Sequence, residues 1–216
     1  MKGLTLLTRR EGTMRQDFRD YYENSHAPLG MTYFPFRKYL RNHILASSAD
    51  IDFDVVMESY IDDRVDVAAL NSGEVRAILD VDERRFMNQG RIRSARVEEQ
   101  VLSGPPIGVA APGTRRQMLL LGASGPTLQE DVTAWGADLA SQPRVARVSL
   151  DMVQQQVSGY GGFPYAAILS LWLKDGGDAI VLPAVPKGMK LELSLLTEVC
   201  ETTPEELAAR YKPKAG

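Results

Sequence analysis

The chain has 216 residues, 44% of them hydrophobic, and its 25 basic and 28 acidic side chains give a formal net charge of −3. This length supplies one large core or two small ones, and charges mixed in this way leave no basic surface that could hold nucleic acid. Because the chain has one cysteine, Cys200, we expect no disulfides and no bound metal. Because it has no signal-like start and no apolar run of membrane length, we expect a soluble cytoplasmic protein without a membrane partner.

The first half of the chain predicts the element order β-α-β-β-α-β. Aromatic residues recur at helical spacing in Phe18, Tyr21 and Tyr22, whereas apolar and polar residues alternate in the strands. The predicted elements are a strand at 4–8, a helix at 13–25, strands at 37–45 and 53–61, a helix at 63–85 and a strand at 93–102. Residues 1–102 are therefore predicted to form a first unit.

The second half repeats this order in shortened form. Residues 103–114, SGPPIGVAAPGT, concentrate glycine and proline without a helical or alternating pattern, so we predict a linker there. The elements that follow are a strand at 117–123, a helix at 128–140 and strands at 146–155, 166–174 and 190–201. Glycine and proline occupy 175–188, where a second helix would come. Residues 115–216 are predicted to form a second, trimmed unit.

These two units predict an α+β fold class with two ferredoxin-like βαββαβ units. A four-stranded antiparallel sheet with helices on one face leaves its other face bare. Two such sheets in one chain can cover each other. This arrangement predicts a barrel with the helices outside and a ligand pocket inside.

Two neighbouring strands carry the polar residues that could do chemistry. Tyr39, Arg41 and His43 lie on one face of the second strand, and Glu58 and Tyr60 lie on one face of the third. Pairing of these faces would bring all five together. The cluster is then either a solvated sheet face or, beneath the second unit, a buried site in which His43 beside Glu58 moves protons. An ion pair between Arg41 and Glu58 would explain those two residues without catalysis.

His26 is one of two histidines in the chain and follows the first predicted helix. Because Pro28 comes two residues later, we predict that the helix ends here and that His26 lies at the rim of the barrel pocket. It could instead serve only as a cation at the helix end, where the interaction with the macrodipole contributes ~0.3 to 1 kcal/mol. Nearby aromatic residues such as Tyr22 either line the mouth of the pocket or fill the core.

Several short motifs in the first half carry a family resemblance. They are Gly12-Thr-Met, Phe18-Arg-Asp-Tyr-Tyr-Glu, His26-Ala-Pro-Leu, Tyr39-Leu-Arg-Asn-His, Asp54-Val-Val-Met-Glu-Ser and Asp82-Glu-Arg-Arg-Phe. Together they cover about residues 1 to 102 and resemble the EthD family of the dimeric α/β barrel superfamily. The resemblance implies ferredoxin-like units whose sheets form a barrel, usually through dimerisation, which would here be an intrachain dimeric α/β barrel.

The resemblance also implies a kind of chemistry. Similar proteins of the superfamily include polyketide cyclases, dehydratases, decarboxylases, muconolactone isomerases and cofactor-free monooxygenases, in which histidines lining the barrel act as acid and base. Carried over by motif, the catalytic residues are His26, His43 and Glu58. Because the second half has no histidine, the chain looks like a fused pseudo-dimer with one site, for which a further homodimer is optional.

From these residues we expect a cofactor-independent enzyme of the lyase, cyclase or isomerase type. One histidine would remove a proton from an aromatic or polyketide-like small molecule, and dehydration, cyclisation or C–C cleavage would follow. Tyr22, Tyr39, Arg41 and Tyr60 would bind the substrate, with Arg41 holding a carboxylate or an oxyanion. The alternatives are a cofactor-free monooxygenase, which needs the same base and oxygen, and a non-catalytic small-molecule binding protein.

Overall fold

The structure, a computed structural model, describes residues 1–106 and 108–212. Its main feature is a barrel of eight antiparallel strands that closes within the one chain. The strands are β1 (Lys2–Leu7), β2 (Phe36–Ser47), β3 (Val55–Ile61), β4 (Arg93–Ser103), β5 (Arg115–Leu121), β6 (Val145–Gln156), β7 (Ala167–Leu173) and β8 (Leu191–Glu201). They follow one another in the order β1-β3-β2-β8-β5-β7-β6-β4, and β4 pairs with β1 to complete the ring.

The predicted fold class, two ferredoxin-like βαββαβ units that form an intrachain dimeric α/β barrel, is wrong. The strands form one continuous barrel, in which β2 pairs with β8 and β4 pairs with β6 across the two halves of the chain. These pairings satisfy the N–H and C=O groups that the edge strands of a separate four-stranded sheet would leave exposed. The two halves therefore share one hydrogen-bonded ring, with few helices around it.

The predicted linker, 103–114, runs from the end of β4 to the start of β5. Position 107 of this linker and positions 213–216 of the predicted second unit lie outside the described residues. The division of the chain into domains at this segment stays a prediction.

Helices cover parts of the outer surface of the barrel. They are α1 (Arg15–Tyr21), α2 (Ala27–Tyr33), α3 (Val67–Leu70), α4 (Gly73–Phe86), α5 (Leu128–Ala140) and α6 (Pro204–Arg210), with a π-helical turn at Tyr22–His26 and 3₁₀ turns at Gln89–Arg91 and Lys174–Gly176. On one side, α5 packs against β4, β6 and β7. On the other, residues of α1, the π turn, α2 and α4 form a core with β2 and β3. Within the described ranges, none of these helices has the length and apolar character needed to cross a membrane.

The first helical segment continues past the position at which we predicted its end. The prediction that the helix ends at His26 is wrong, because α1, the π turn and α2 follow one another with helical backbone angles at each junction. Pro28 lies in the first turn of α2. Proline is tolerated there because its missing N–H and fixed φ angle do not disturb a helix start.

Side chains from all eight strands occupy the barrel interior in two layers. The apolar layer contains Leu4, Leu6, Ile44, Val56, Ala95, Met118, Leu120, Ile168, Leu193 and Leu195. The second layer, which we call the ionic layer, consists of Lys2, Asn42, Glu58, Arg116, Asp151 and Ser170, and these residues are buried as well. The two layers occupy the space in which the sequence predicted a ligand pocket.

Candidate active site

The predicted site residues are divided between the two faces of the barrel wall. Leu40 pairs with Glu58 across β2 and β3, whereas Arg41 and His43 pair with other residues of β3. Because paired residues share a face and successive residues alternate, Glu58 points into the barrel while Arg41 and His43 point outward, toward the helices. The structure therefore does not bring His43 and Glu58 together. Of the other predicted residues, Tyr22 and Tyr39 belong to the outward group and Tyr60 contacts the inward one.

Glu23, on the π turn, holds the outward group in place. Its Oε1 lies 2.6 Å from His43 Nε2, and Arg41 donates a hydrogen bond of 2.7 Å from Nη2 to Glu23 Oε2. Burial alone would raise the pKa of Glu23, but the hydrogen bonds from His43 and Arg41 outweigh this effect and lower the pKa to about 2. Glu23 is not among the site residues predicted from the sequence. Residues three positions apart lie on the same side of a helix, so the position of Glu23 three residues before His26 could have indicated that the two lie near each other.

His26 forms a second histidine–carboxylate pair, with Asp82 of α4. Its Nδ1 lies 2.7 Å from Asp82 Oδ2, and the hydroxyl group of Tyr21 donates a hydrogen bond of 2.7 Å to Asp82 Oδ1. Burial would raise the pKa of Asp82, but the hydrogen bonds from His26 and Tyr21 outweigh it, so the pKa lies below its ordinary value. Since the pair uses Nδ1, Nε2 of His26 is the ring nitrogen that can act on a ligand.

The role of Asp82 was not predicted, although the residue opens the motif Asp82-Glu-Arg-Arg-Phe that carries part of the family resemblance. Its buried neighbours on α4, Leu79 and Phe86, indicate one face of a helix, on which Asp82 is a buried polar residue. A carboxylate on such a face requires a partner. The sequence contained this requirement but not the identity of the partner, His26.

Tyr22 lies between the two histidines. Its ring centroid is 5.3 Å from that of His26 and 5.9 Å from that of His43, and its hydroxyl group shares a hydrogen bond of 3.1 Å with the hydroxyl group of Tyr39. Burial raises the pKa of Tyr22. The π turn carries three of the residues concerned, and such turns are frequent at functional sites. The two-histidine layer, as we call it, comprises Tyr22, Glu23, His26, His43 and Asp82.

A surface groove of about 420 Å³ lies beside the His26–Asp82 pair. Residues of α2 and α4 line it: the apolar Leu29, Ala77, Ile78 and Val81, and the charged Glu74, Asp82 and Arg85. Asp82 lines the groove and His26 contacts Asp82, so the pair adjoins the groove through its carboxylate. The volume of the groove lies in the range of small-molecule sites, ~300 to 1,000 Å³.

Glu58 belongs to the ionic layer inside the barrel. Lys2 lies 2.9 Å from Glu58 Oε2, Arg116 forms an ion pair with Oε1, and Asn42 donates a hydrogen bond of 2.9 Å to Oε1. Burial would raise the pKa of Glu58, but the two cations outweigh it and hold the pKa far below its ordinary value. Glu58 is thus an ionised partner of two buried cations, and its catalytic role stays a prediction.

Two clusters of the described residues have the composition of a metal site. The ligand atoms of each cluster lie within 4.8 Å of one another, in Glu23, His43 and Cys200 and in Glu58, Glu99 and Asp151. In the second cluster, the amino group of Lys2 lies within 3.0 Å of all three carboxylates. The lysine therefore takes the position that a metal cation would need.

Comparisons with known proteins bear on both the fold and the family. No curated protein sequence matches the chain. An anthrone oxidase-like protein has a similar structure, with a TM-score of 0.58 and 14% identity over 94% of this chain and 92% of the other. A proposed monooxygenase from Fusobacterium nucleatum subsp. nucleatum ATCC 25586 has a TM-score of 0.53 and 6% identity over 94% of this chain and 93% of the other. Identities this low show similarity of fold alone. Residues 10–90 match the family profile of the EthD domain, which confirms the predicted resemblance to the EthD family for this part of the chain.

Proposed function

We propose that this protein is an enzyme that oxygenates an aromatic small molecule of the anthrone type, with His26 as the base and without a redox cofactor. The observation that carries the proposal is the contact of 2.7 Å between His26 and Asp82, a residue that lines the largely apolar groove. A histidine oriented by a carboxylate is a common form of general base. The names of the similar structures, an anthrone oxidase-like protein and a proposed monooxygenase, support oxygen chemistry.

The reaction begins with transfer of a proton from an acidic C–H bond of the substrate to Nε2 of His26. Asp82, an ionised carboxylate at neutral pH, stabilises the imidazolium that forms. The carbanion, delocalised over the aromatic rings, gives its electrons to O₂ and forms a C–O bond, and His26 returns the proton to the peroxide. Loss of water from the hydroperoxide leaves a carbonyl group, so one oxygen atom enters the product and the other leaves as water.

The groove beside the pair suits a flat, apolar substrate. Leu29, Ile78 and Val81 contribute apolar surface, and Arg85 brings a positive charge to the same groove. A cation at this position stabilises the negative charge that develops on a carbonyl or phenolic oxygen of the substrate. The side chain of His26 is 12% exposed, which limits the access of water to the base.

The lyase or cyclase activity expected from the sequence would use the same base. It differs in the fate of the carbanion, which would expel a leaving group instead of reacting with oxygen. Such a reaction also needs an acid beside the leaving group. The names of the similar structures support the reaction with oxygen, so we propose the monooxygenase alternative rather than the lyase.

Oxygen consumption by the purified protein, with anthrone as the probe, tests the proposal. We expect oxygen uptake and quinone formation above the rate measured without protein. His26→Gln should lower kcat by about 10² to 10⁴-fold, the usual contribution of a general base. Asn24→Ala is the matched control, because Asn24 belongs to the same π turn but is exposed, and this variant should keep the activity of the wild type.

Three outcomes would contradict the proposal in different ways. Conversion of the substrate at the same rate without oxygen would replace the oxygenase by a lyase or isomerase. Tight binding of anthrone without conversion would support the binding-protein alternative. Full activity of His26→Gln would remove His26 as the base.

A further inference from the structure

We propose that Glu23, His43 and Cys200 form a binding site for a divalent transition-metal ion, for which zinc is the best match. This inference goes beyond the proposed oxygenase and does not depend on it. It rests on the convergence of three different donor groups from three separate elements, the π turn, β2 and β8. The site lies on the outer face of the barrel wall, beneath the helices.

The register of β2 and β8 explains why these groups meet. Arg41 pairs with Cys200, and His43 pairs with Glu198. Cys200 therefore shares the outward face with His43 and lies diagonally across from it. The π turn adds Glu23 from above, in contact with His43 at 2.6 Å. As a result, one sulfur, one imidazole nitrogen and one carboxylate oxygen all lie within 4.8 Å of one another.

This set of donors matches the preferences of zinc. Zinc binds cysteine sulfur, histidine nitrogen and carboxylate oxygen at about 2.0 to 2.3 Å, with four ligands in a tetrahedron. Donors within 4.8 Å of one another can surround such an ion after small side-chain movements. Three protein ligands leave one position for water, as in catalytic zinc sites. Magnesium and calcium prefer oxygen ligands alone, so the thiol and imidazole groups select against them.

The charges around the cluster permit a cation. The neighbouring Arg41 and Arg19 contact the carboxylates of Glu23 and Glu198, respectively. The formal charges of these two guanidinium groups and two carboxylates cancel. A metal ion that approaches the site therefore meets no net positive charge. Arg41 donates hydrogen bonds to both carboxylate oxygens of Glu23, the shorter one to Oε2 at 2.7 Å and the longer one to Oε1 at 3.2 Å, and Oε1 is the atom that faces His43. Such outer contacts orient the ligands of a metal.

Cys200 supplies the thiol group of the site. A metal ion displaces the proton from a coordinating thiol. Cys200 is partly exposed, and its sulfur has a long contact of 3.8 Å with Arg19.

A bound ion would fasten the π turn to the barrel. Glu23 and His26 belong to the same turn, so an ion that joins Glu23 to β2 and β8 would also fix the position of His26. Metal binding to folded protein stabilises it by mass action. We therefore expect zinc to raise the midpoint of thermal unfolding.

Cobalt is the probe for the first test, because Co²⁺ bound to a thiolate gives a charge-transfer absorption band in the near ultraviolet. Titration of the full chain with Co²⁺ should produce this band with one equivalent of metal, and Zn²⁺ should remove it. Cys200→Ser should lose the band and bind zinc about tenfold more weakly or worse. Asp20→Asn, an exposed carboxylate on α1, is the control and should behave as the wild type.

A second measurement keeps the test independent of how well the variants fold. Cys200 is the only cysteine, so alkylation of the wild-type protein reports on this thiol alone. Zinc should slow its alkylation. Two results would overturn the site. One is the absence of the cobalt band at excess metal, and the other is alkylation of wild-type Cys200 at the same rate with and without zinc. Both readouts are independent of turnover, so their failure would leave the proposed oxygenase untouched.

Discussion

The amino group of Lys2 lies inside the barrel among three carboxylates, at 2.9 Å from Glu58, 2.8 Å from Asp151 and 3.0 Å from Glu99. Burial alone would lower the pKa of Lys2, but these carboxylates raise it well above its ordinary value, so the amino group is charged. An unpaired buried charge destabilises a fold by several kcal/mol, whereas a well-paired one is largely compensated. The stability of the ionic layer therefore depends on each charge keeping its partners.

Lys2→Met tests this dependence. Methionine preserves most of the volume but leaves Glu58 and Asp151 without their shared cation. We expect the free energy of unfolding to fall by about 3 to 5 kcal/mol, measured by urea denaturation at pH 7. Lys190→Met removes the exposed ion pair of Lys190 with Glu192 and should change stability by less than about 1 kcal/mol. Equal stability of the two variants would contradict the prediction.

Asp151→Asn should change how stability depends on pH. Burial raises the pKa of Asp151 from its ordinary value of 3.8 to about 6, although Lys2 opposes the shift. The folded state thus binds this proton more tightly than the unfolded state, and the resulting stabilisation is present below pH 3.8 and lost as the pH rises through about 6. Asparagine cannot ionise, so the stability of the variant does not fall in this way as the pH rises.

The measurement is the free energy of unfolding of both proteins from pH 4 to 7.5. The difference, variant minus wild type, should increase with pH by on the order of 1 to 3 kcal/mol. Asp138→Asn replaces an exposed carboxylate on α5 and should follow the wild-type profile. A difference for Asp151→Asn that stays constant over this range would show that the carboxyl group does not titrate there.

At this scale, the sequence predicted which residues share a face but not which faces meet. Strand alternation placed Tyr39, Arg41 and His43 together and Glu58 with Tyr60, and the register of β2 and β3 agrees with each group taken separately. The two groups were paired incorrectly because a shift of one residue moves every side chain of a strand to the opposite face. The register is fixed by long-range packing, which no local pattern reports.

The π turn is the element that organises the candidate site, since it carries Tyr22, Glu23 and His26. All eight strands were predicted within a few residues, and α5 was predicted with its observed bounds. The helices α2 and α6 were missed, and both have proline in their first turn. Proline normally indicates a stop, but it is also well suited to the first position of a helix. The same residue therefore gives opposite signals, which only tertiary packing resolves.

Thr203→Ala should weaken the start of α6. The side-chain oxygen of Thr203 accepts a hydrogen bond of 3.2 Å from the backbone N–H of Glu206, and Leu207 anchors the helix in the core. Loss of such a cap destabilises a protein by about 1 kcal/mol, which a urea titration can measure. Thr127→Ala is the matched control, because Thr127 precedes α5 without forming a side-chain cap. Similar losses in both variants would argue against the cap.

At the scale of the whole molecule, two junctions join the halves of the chain, β2 with β8 and β4 with β6. The sequence predicted the number and order of strands but assigned them to two sheets. Element order is local information, whereas the choice of hydrogen-bonded neighbours at an edge depends on distant residues. Paired residues lie 148 to 161 positions apart between β2 and β8 and 45 to 61 positions apart between β4 and β6. The EthD match covers residues 10–90, which include β2 but none of β4, β6 and β8.

Separation of the two halves tests whether these junctions hold the barrel together. A fragment of residues 1–104 would expose the edges of β2 and β4, and a fragment of residues 112–216 would expose those of β6 and β8. Unpaired edges promote association, so each fragment alone should aggregate or self-associate and should lack cooperative unfolding as a monomer. Mixed during refolding, the fragments should form a one-to-one complex with the near-ultraviolet circular dichroism of the intact chain. A monomeric fragment 1–104 that unfolds cooperatively would show that the first half folds without the second, and that closure of the barrel is not required for its stability.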